Sequence, residues 1–138
     1  MRERWLMGLL FAQLSAVGAA AQVAPPEAMV FFDWGKLEIQ RDYAAALDRV
    51  AAAAAADPDL RLIVDGYSDR SGPSLANRES SWRRAVAVRD HLVRRGIPAE
   101  RIAVNAWGEE RPLIATADGV REPQNRRVDV RRVAAGAR

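Results

Sequence analysis

Asp69 and Arg84 are the two side chains of this sequence whose types and spacing best suit binding chemistry. Asp69 stands in the segment Gly66-Tyr67-Ser68-Asp69-Arg70-Ser71-Gly72, into which the apolar run Leu62-Ile63-Val64 leads through Asp65. Arg84 follows fifteen positions later, inside a long helical pattern. A carboxylate at the end of a strand and a guanidinium on the next helix, if they converge, suit a ligand that carries both an ammonium and a carboxylate. Each ligand group then meets its opposite charge in a charge-assisted hydrogen bond. On spacing alone, the commoner arrangement is a surface salt bridge between loop and helix. Asn125-Arg126-Arg127-Val128 offers a third piece. Two roles fit Asn125 and Arg126 equally: lining the edge of such a pocket, or capping the loop and pairing with acids to fix the last strand.

Other chemistries find little support. His91 is the only histidine and there is no cysteine, so no zinc ligand set is present and no metal or cofactor is expected. His91 follows Asp90 in mid-helix and is expected to be exposed. A Ser-His-Asp hydrolase would need it in a pocket with a serine, and no Gly-x-Ser-x-Gly elbow occurs. Gly66 to Gly72 is not a phosphate loop, since no Gly-Lys-Ser/Thr follows it. Glu109-Glu110 is an acid pair whose adjacent members point apart in an extended loop. Trp34, Trp82 and Trp107 are suited to stacking on sugars, but packing at the core or rim is the expected role.

The elements that must position Asp69 and Arg84 can be read from periodicity. Met29-Val30-Phe31-Phe32 reads as a first strand, ended by Asp33-Trp34-Gly35. From Leu37 the pattern turns helical, with Tyr43, Leu47, Val50 and Ala54 on one face. The alanine run 51–56 favours helix, and Asp57-Pro58-Asp59 stops it. Leu60 to Tyr67 is a second strand whose continuous apolar centre marks it as buried. A second helix carries Trp82, Ala85-Val86, Val88-Arg89 and Leu92-Val93 as its stripe and ends near Arg95, with Gly96 as its C-terminal cap and Pro98 beyond. Its start has two readings: Ser74, or a short turn followed by a fresh N-cap at Ser80 or Ser81. The second is favoured, because it puts Arg84 in the first turn, near the Asp69 loop. Arg101 to Trp107 is a third strand, 108–124 a loop, and Arg127 to Val133 a last strand. The order β-α-β-α-β-loop-β predicts an α/β fold, an α+β sandwich. Its mixed sheet would be crossed by two right-handed connections, with both helices packed on one face.

The ends read differently. Residues 1–21 have a charged start, an apolar stretch from Trp5 to Val17, and Ala19-Ala20-Ala21 before Gln22, the pattern of a cleaved signal peptide. The apolar stretch is shorter than the ~20 residues a spanning helix needs. The competing reading is an uncleaved membrane anchor. Residues 22–28 read as a linker, 29–133 as one domain and 134–138 as a loose tail. Without cysteine there is neither a disulfide nor a lipid-modified N-terminal cysteine. The formal charge is +3, with 21 basic residues of which only Lys36 is lysine, and 18 acids interspersed. This is not the clustered basic face of a nucleic-acid binder.

Taken in order, these residues resemble the C-terminal OmpA-like, peptidoglycan-binding domain shared by OmpA proteins, Pal lipoproteins and MotB stators. The resemblance runs from about Val30 to Val133. Phe31-Phe32-Asp33 resembles the family's opening phenylalanine-aspartate element, and Gly66 to Gly72 its Gly-His-Thr-Asp-x-x-Gly loop, with Tyr67-Ser68 in place of His-Thr. Asn77, Ser81, Arg83-Arg84-Ala85 and Val88 resemble its Asn…Leu-Ser-x-x-Arg-Ala-x-x-Val helix, with Ser80 in place of leucine. Leu92-Val93 with Gly96-Ile97-Pro98, Gly108-Glu109 with Pro112, and Asn125-Arg126-Arg127-Val128 complete the pattern.

The resemblance implies a ligand, the meso-diaminopimelate of the peptidoglycan peptide stem. It implies Asp69 and Arg84 as the residues that bind it. Phe32 and Asp33 are expected to form the other wall, with Gly72, Asn77, Asn125 and Arg126 around it. Gly66 and Gly72 are expected to let the loop turn tightly and approach the ligand. The expected protein is an exported, non-enzymatic binder in the periplasm, tethering the envelope and possessing neither barrel nor lipid, so that it bridges the wall to a protein partner. The alternatives are a wall-remodelling enzyme and, if residues 1–21 stay attached, a small membrane-anchored stator-like protein.

Overall fold

The computed structural model describes residues 25–133; the signal-peptide reading of 1–21 and the tail at 134–138 lie outside the described residues. The chain forms β1 (Ala28–Phe31), α1 (Arg41–Ala56), β2 (Arg61–Tyr67), α2 (Ser74–Arg94), β3 (Ile102–Gly108) and β4 (Arg127–Val133). Single 3-10 turns at Ala99–Arg101 and Pro123–Asn125 precede β3 and β4. The sheet order is β1-β4-β2-β3: β2 and β3 are parallel, while β4 runs antiparallel to both β1 and β2. Thus β1 and β2, consecutive strands in the chain, are separated by the returning β4. No helix among the described residues is long and apolar enough to cross a membrane.

The core follows from the period of each element. Val30, Leu62, Val64, Val128 and Val130 lie on one sheet face, and they meet Leu47, Val50, Ala51 and Ala54 of α1 and Ala85, Val88 and Leu92 of α2. The end of α1 leaves carbonyls without intrahelical partners. Arg101, expected to open β3, instead sits in the preceding turn and donates to the carbonyls of Ala54 (2.9 Å), Asp57 (2.7 Å) and Leu60 (2.8 Å). At the end of α2, Gly96 takes φ +101°. The Gly96 N–H bonds Val93 O and the Ile97 N–H bonds Leu92 O, the paired closure that a glycine at this position permits.

Helix α2 corrects the favoured reading. It is continuous from Ser74, with no break at Ser80 or Ser81, so Arg84 lies in mid-helix rather than in a first turn. The reason is the use made of Ser81. Its Oγ donates to Arg78 O (2.7 Å) and accepts from the Gly108 N–H (3.0 Å), so it is a packing residue and not a cap. The helix rides so close to β2 that a Cβ on Gly66 would lie 2.1 Å from Ser81 O. Gly66 therefore serves helix–sheet contact and not the loop. Trp82, assigned to the apolar stripe, is 46% exposed, and Val93 is exposed as well. His91, expected to be exposed, has a side chain only 12% accessible and bonds Asp48 through Nε2 at 2.7 Å, joining α2 to α1.

The face of the sheet without helices holds Asp65 and Asp129, directly opposite each other in register. Asn105 and Trp107 donate to Asp65, and Arg131 and Arg127 stand beside Asp129, offsetting the repulsion of two facing acids. Burial pushes the Asp129 carboxyl above its ordinary value despite those arginines.

Candidate functional site

The cleft forms where three segments meet at one end of the sheet. At the end of β2, one extra residue on β3 shifts the pairing from Gly66–Ala106 to Tyr67–Gly108. The next residue, Ser68, donates its N–H to Gly108 O (2.8 Å) and its Oγ to the Asp69 carbonyl (3.0 Å). Asp69 is thereby held at the mouth of the strand. Its Oδ1 accepts from the Ser71 N–H (3.1 Å) and the Ser71 Oγ (2.6 Å), an Asx-type turn that closes the loop on itself. Its Oδ2 accepts from Arg126 Nη1 at 3.0 Å. Burial alone would push this carboxyl up, but the Ser71 and Arg126 bonds outweigh it and hold Asp69 below its ordinary value.

Arg126 is fixed by its own strand entry. Its Nε donates to Phe32 O (3.0 Å), and its carbonyl accepts from the Phe32 N–H (2.9 Å). The two residues thus continue the β1–β4 pairing past Phe31.

Arg84 lines the same cleft but does not pair with Asp69. Its Nε and Nη2 donate to Lys36 O and Asp33 O, both long at 3.4 Å, and its guanidinium lies 5.5 Å from the centroid of the Phe32 ring. It is 3% exposed and has no carboxylate partner among the described residues. Burial lowers its pKa, and the neighbouring Arg126 lowers it further. The cleft, about 190 Å³, therefore holds two buried guanidinium groups and one carboxylate, an excess of one positive charge. Such a site favours an anion, because an unpaired buried cation has lost its hydration without gaining a counter-charge.

The expected site residues divide. Asp69, Gly72, Asn77, Arg84 and Arg126 all line the cleft. Asn77 donates from Nδ2 to Gly72 O (2.8 Å) and Glu109 Oε2 (3.0 Å), which ties the loop to α2. A Cβ on Gly72 would come within 3.1 Å of Asn77 Oδ1, so the glycine permits this close contact. Phe32 and Asp33 do not form the wall. Phe32 is buried beneath Arg84, and the Asp33 carboxylate turns to Gln40 Nε2, leaving only its carbonyl toward Arg84. Asn125 is also outside: its Oδ1 accepts from the Leu113 and Ile114 N–H groups (2.9 Å each), and its Nδ2 donates to Ile114 O (2.7 Å). Of the two roles open to Asn125 and Arg126, Asn125 pins the loop, while Arg126 lines the cleft and also pairs with Asp69 at the entry to the last strand.

The rest of the lining is Trp34-Gly35, together with Ser68, Ser71 and Ser80, none of which sequence reasoning placed there. Trp34 Nε1 donates to Ser71 Oγ at 3.2 Å, and Arg121 stacks on its indole 3.6 Å from the ring centroid. The Asp69-x-Ser71 spacing was a readable sign of the Asx turn. Nothing in the sequence signalled that Trp34 would reach Ser71. Tyr67 points to the other sheet face, beneath Arg127, so its ring takes no part in the cleft.

A model of the OmpA family matches residues 31–126. An outer membrane protein of Gluconacetobacter diazotrophicus is 40% identical over 111 residues, 74% of this chain and 29% of that protein. A peptidoglycan-associated lipoprotein of Rhizobium meliloti is 37% identical over 98 residues, 71% of this chain and 56% of that protein. The chain thus spans 29% and 56% of these two relatives' length. Among solved structures, the peptidoglycan-associated lipoprotein from Burkholderia pseudomallei superposes with a TM-score of 0.70 at 30% identity, covering 77% of this chain and 90% of that one. The C-terminal domain of Helicobacter pylori MotB shares the fold, with a TM-score of 0.65 at 18% identity over 83% of this chain and 88% of that one.

Proposed function

This chain belongs to the OmpA family, and from there we propose that it binds peptidoglycan non-covalently, through the diaminopimelate end of the peptide stem. The observation that carries the proposal is the buried Arg84, a cation without a carboxylate partner among the described residues, beside a formed Asp69–Arg126 pair. The side-chain end of meso-diaminopimelate carries a carboxylate and an ammonium. The carboxylate completes Arg84 in a two-point fork that a lysine would not reproduce. An ionised Asp has about four lone-pair sites. Three on Asp69 are occupied by Ser71 and Arg126, which leaves Oδ2 room to accept from the ammonium.

The names of the relatives support this reading, since two of them are peptidoglycan-associated lipoproteins. The role we propose is attachment within the periplasm, with an envelope protein as a second partner and no bond of the wall broken. Each charge-assisted bond contributes about 1.5–3 kcal/mol. The affinity of one site is therefore modest, and the density of stems in the polymer makes it sufficient.

Co-sedimentation with purified diaminopimelate-type sacculi tests the proposal. Wild type is expected in the pellet, and Arg84→Ala and Asp69→Ala in the supernatant. Equal pelleting of all three proteins overturns the site assignment. Release of soluble fragments from the sacculi overturns the non-enzymatic reading.

A further inference from the structure

A second groove, of about 310 Å³, lies beside the Asp69–Arg84 cleft, between the 33–36 turn and the first half of α2. Gly35 and Ser80 line both cavities. The partition between them is thus built from a residue with no side chain and one of the smallest side chains, and a Cβ on Gly35 would meet nothing within 4 Å. The two cavities therefore adjoin at Gly35 and Ser80. At Trp34 and Ser71, by contrast, the turn and the Asp69 loop are joined by a hydrogen bond.

Two cations stand on the walls of this groove. Lys36, the only lysine of the chain, is exposed and makes no side-chain ion pair among the described residues. Arg83 pairs with Glu79 one turn earlier, and both side chains are mostly exposed, at 62% and 59%. Exposed pairs of this spacing are weak and exchange readily with another partner. Lys36 and Arg83 against Glu79 leave an excess of one positive charge, as in the first cleft. Leu37, 46% exposed, adds an apolar wall suited to methylene groups.

We infer that this groove is a second anionic subsite, in which Lys36, with Arg83, takes a further carboxylate of the same peptide, next to the residue held by Asp69 and Arg84. The inference rests on the peptide-binding reading above and extends it. A γ-linked glutamate beside the diaminopimelate supplies the group, because its α-carboxyl stays free when the side-chain carboxyl forms the peptide bond. The first cleft reads the ammonium–carboxylate end, and the second reads whether the neighbouring residue is acidic or amidated.

The test titrates the full chain with free meso-diaminopimelate, with the glutamyl-diaminopimelate peptide, and with the same peptide amidated at the glutamate α-carboxyl. The acidic peptide is expected to bind about two- to fivefold more tightly than the amidated one, the range of a partly exposed charge pair. The preference is expected to shrink with added salt, to vanish in Lys36→Gln/Arg83→Gln, and to widen in Glu79→Gln. If free diaminopimelate binds but the two peptides bind equally, or if the preference survives in the double variant, the second subsite is overturned while the first stands. If none of the three ligands binds, the peptide-binding reading fails and this inference falls with it.

Discussion

Arg84 and Arg126 are both buried arginines in one cleft, yet they should fail in opposite ways when replaced. Arg126 is paired at 3.0 Å with Asp69. Arg126→Met leaves that carboxylate buried with only Ser71 as a donor, and removing one partner of a buried pair costs about 3–5 kcal/mol. Among the described residues Arg84 has no carboxylate to abandon. Its removal forfeits two long bonds to the carbonyls of Asp33 and Lys36 and the contact with the Phe32 ring, and it relieves the cost of a buried cation. These terms oppose each other, so Arg84→Met should change stability by no more than about 1 kcal/mol. In binding the order reverses: loss of a charge-assisted fork worth about 1.5–3 kcal/mol weakens affinity roughly 10- to 150-fold. Urea unfolding of both variants, with titration of a diaminopimelate peptide into Arg84→Met, reads the two effects separately. A loss of more than about 3 kcal/mol in Arg84→Met would refute the reasoning, because it would mean that Arg84 holds the fold rather than awaiting a ligand.

The other expectations follow from single contacts. Gly66→Ala places a Cβ 2.1 Å from Ser81 O, so it should cost about 3 kcal/mol or more, the upper end for overpacking, and a loss below about 1 kcal/mol in urea unfolding would show that α2 can lift freely. Asn125→Ala removes the acceptor of two backbone N–H groups and a donor to a carbonyl; the expected cost is about 2–3 kcal/mol, with faster hydrogen exchange at Leu113 and Ile114. For Asp69 the folded pKa lies below the ordinary 3.8, so its contribution is complete above the unfolded value and is lost as the pH falls through the folded one. Stability measured from about pH 6 to about pH 3 should therefore fall more steeply in wild type than in Asp69→Asn, and parallel curves would contradict the assignment.

The existence and order of the strands and helices were legible from their periods. Leu62 and Val64 of the apolar run are buried, with Ile63 half-buried between them on the other face, and Leu47, Val50 and Ala54 share one face of α1. What escaped was set by distant packing. Whether α2 breaks at Ser80 depends on Gly66 and Gly108, which bring Ser81 against β2 and β3. A serine that could cap a helix is locally indistinguishable from one that packs inside it. The site was half legible for the same reason. The Asp69 turn and the Arg84 face follow from local spacing, but the Asp69–Arg126 pair spans 57 positions and depends on β4 entering beside β2. Likewise Asn125 looked equivalent to Arg126 until the loop carbonyl and N–H groups of residues 113 and 114 came back to meet it.

The central claim is that Arg84 awaits a carboxylate on the ligand. Calorimetric titration of wild type with two otherwise identical stem peptides, one ending its side chain in diaminopimelate and the other in lysine, tests it most directly, because only the first carries that carboxylate. The account predicts at least about tenfold tighter binding of the diaminopimelate peptide, with the preference abolished in Arg84→Met. Equal affinity for the two peptides in wild type would contradict it.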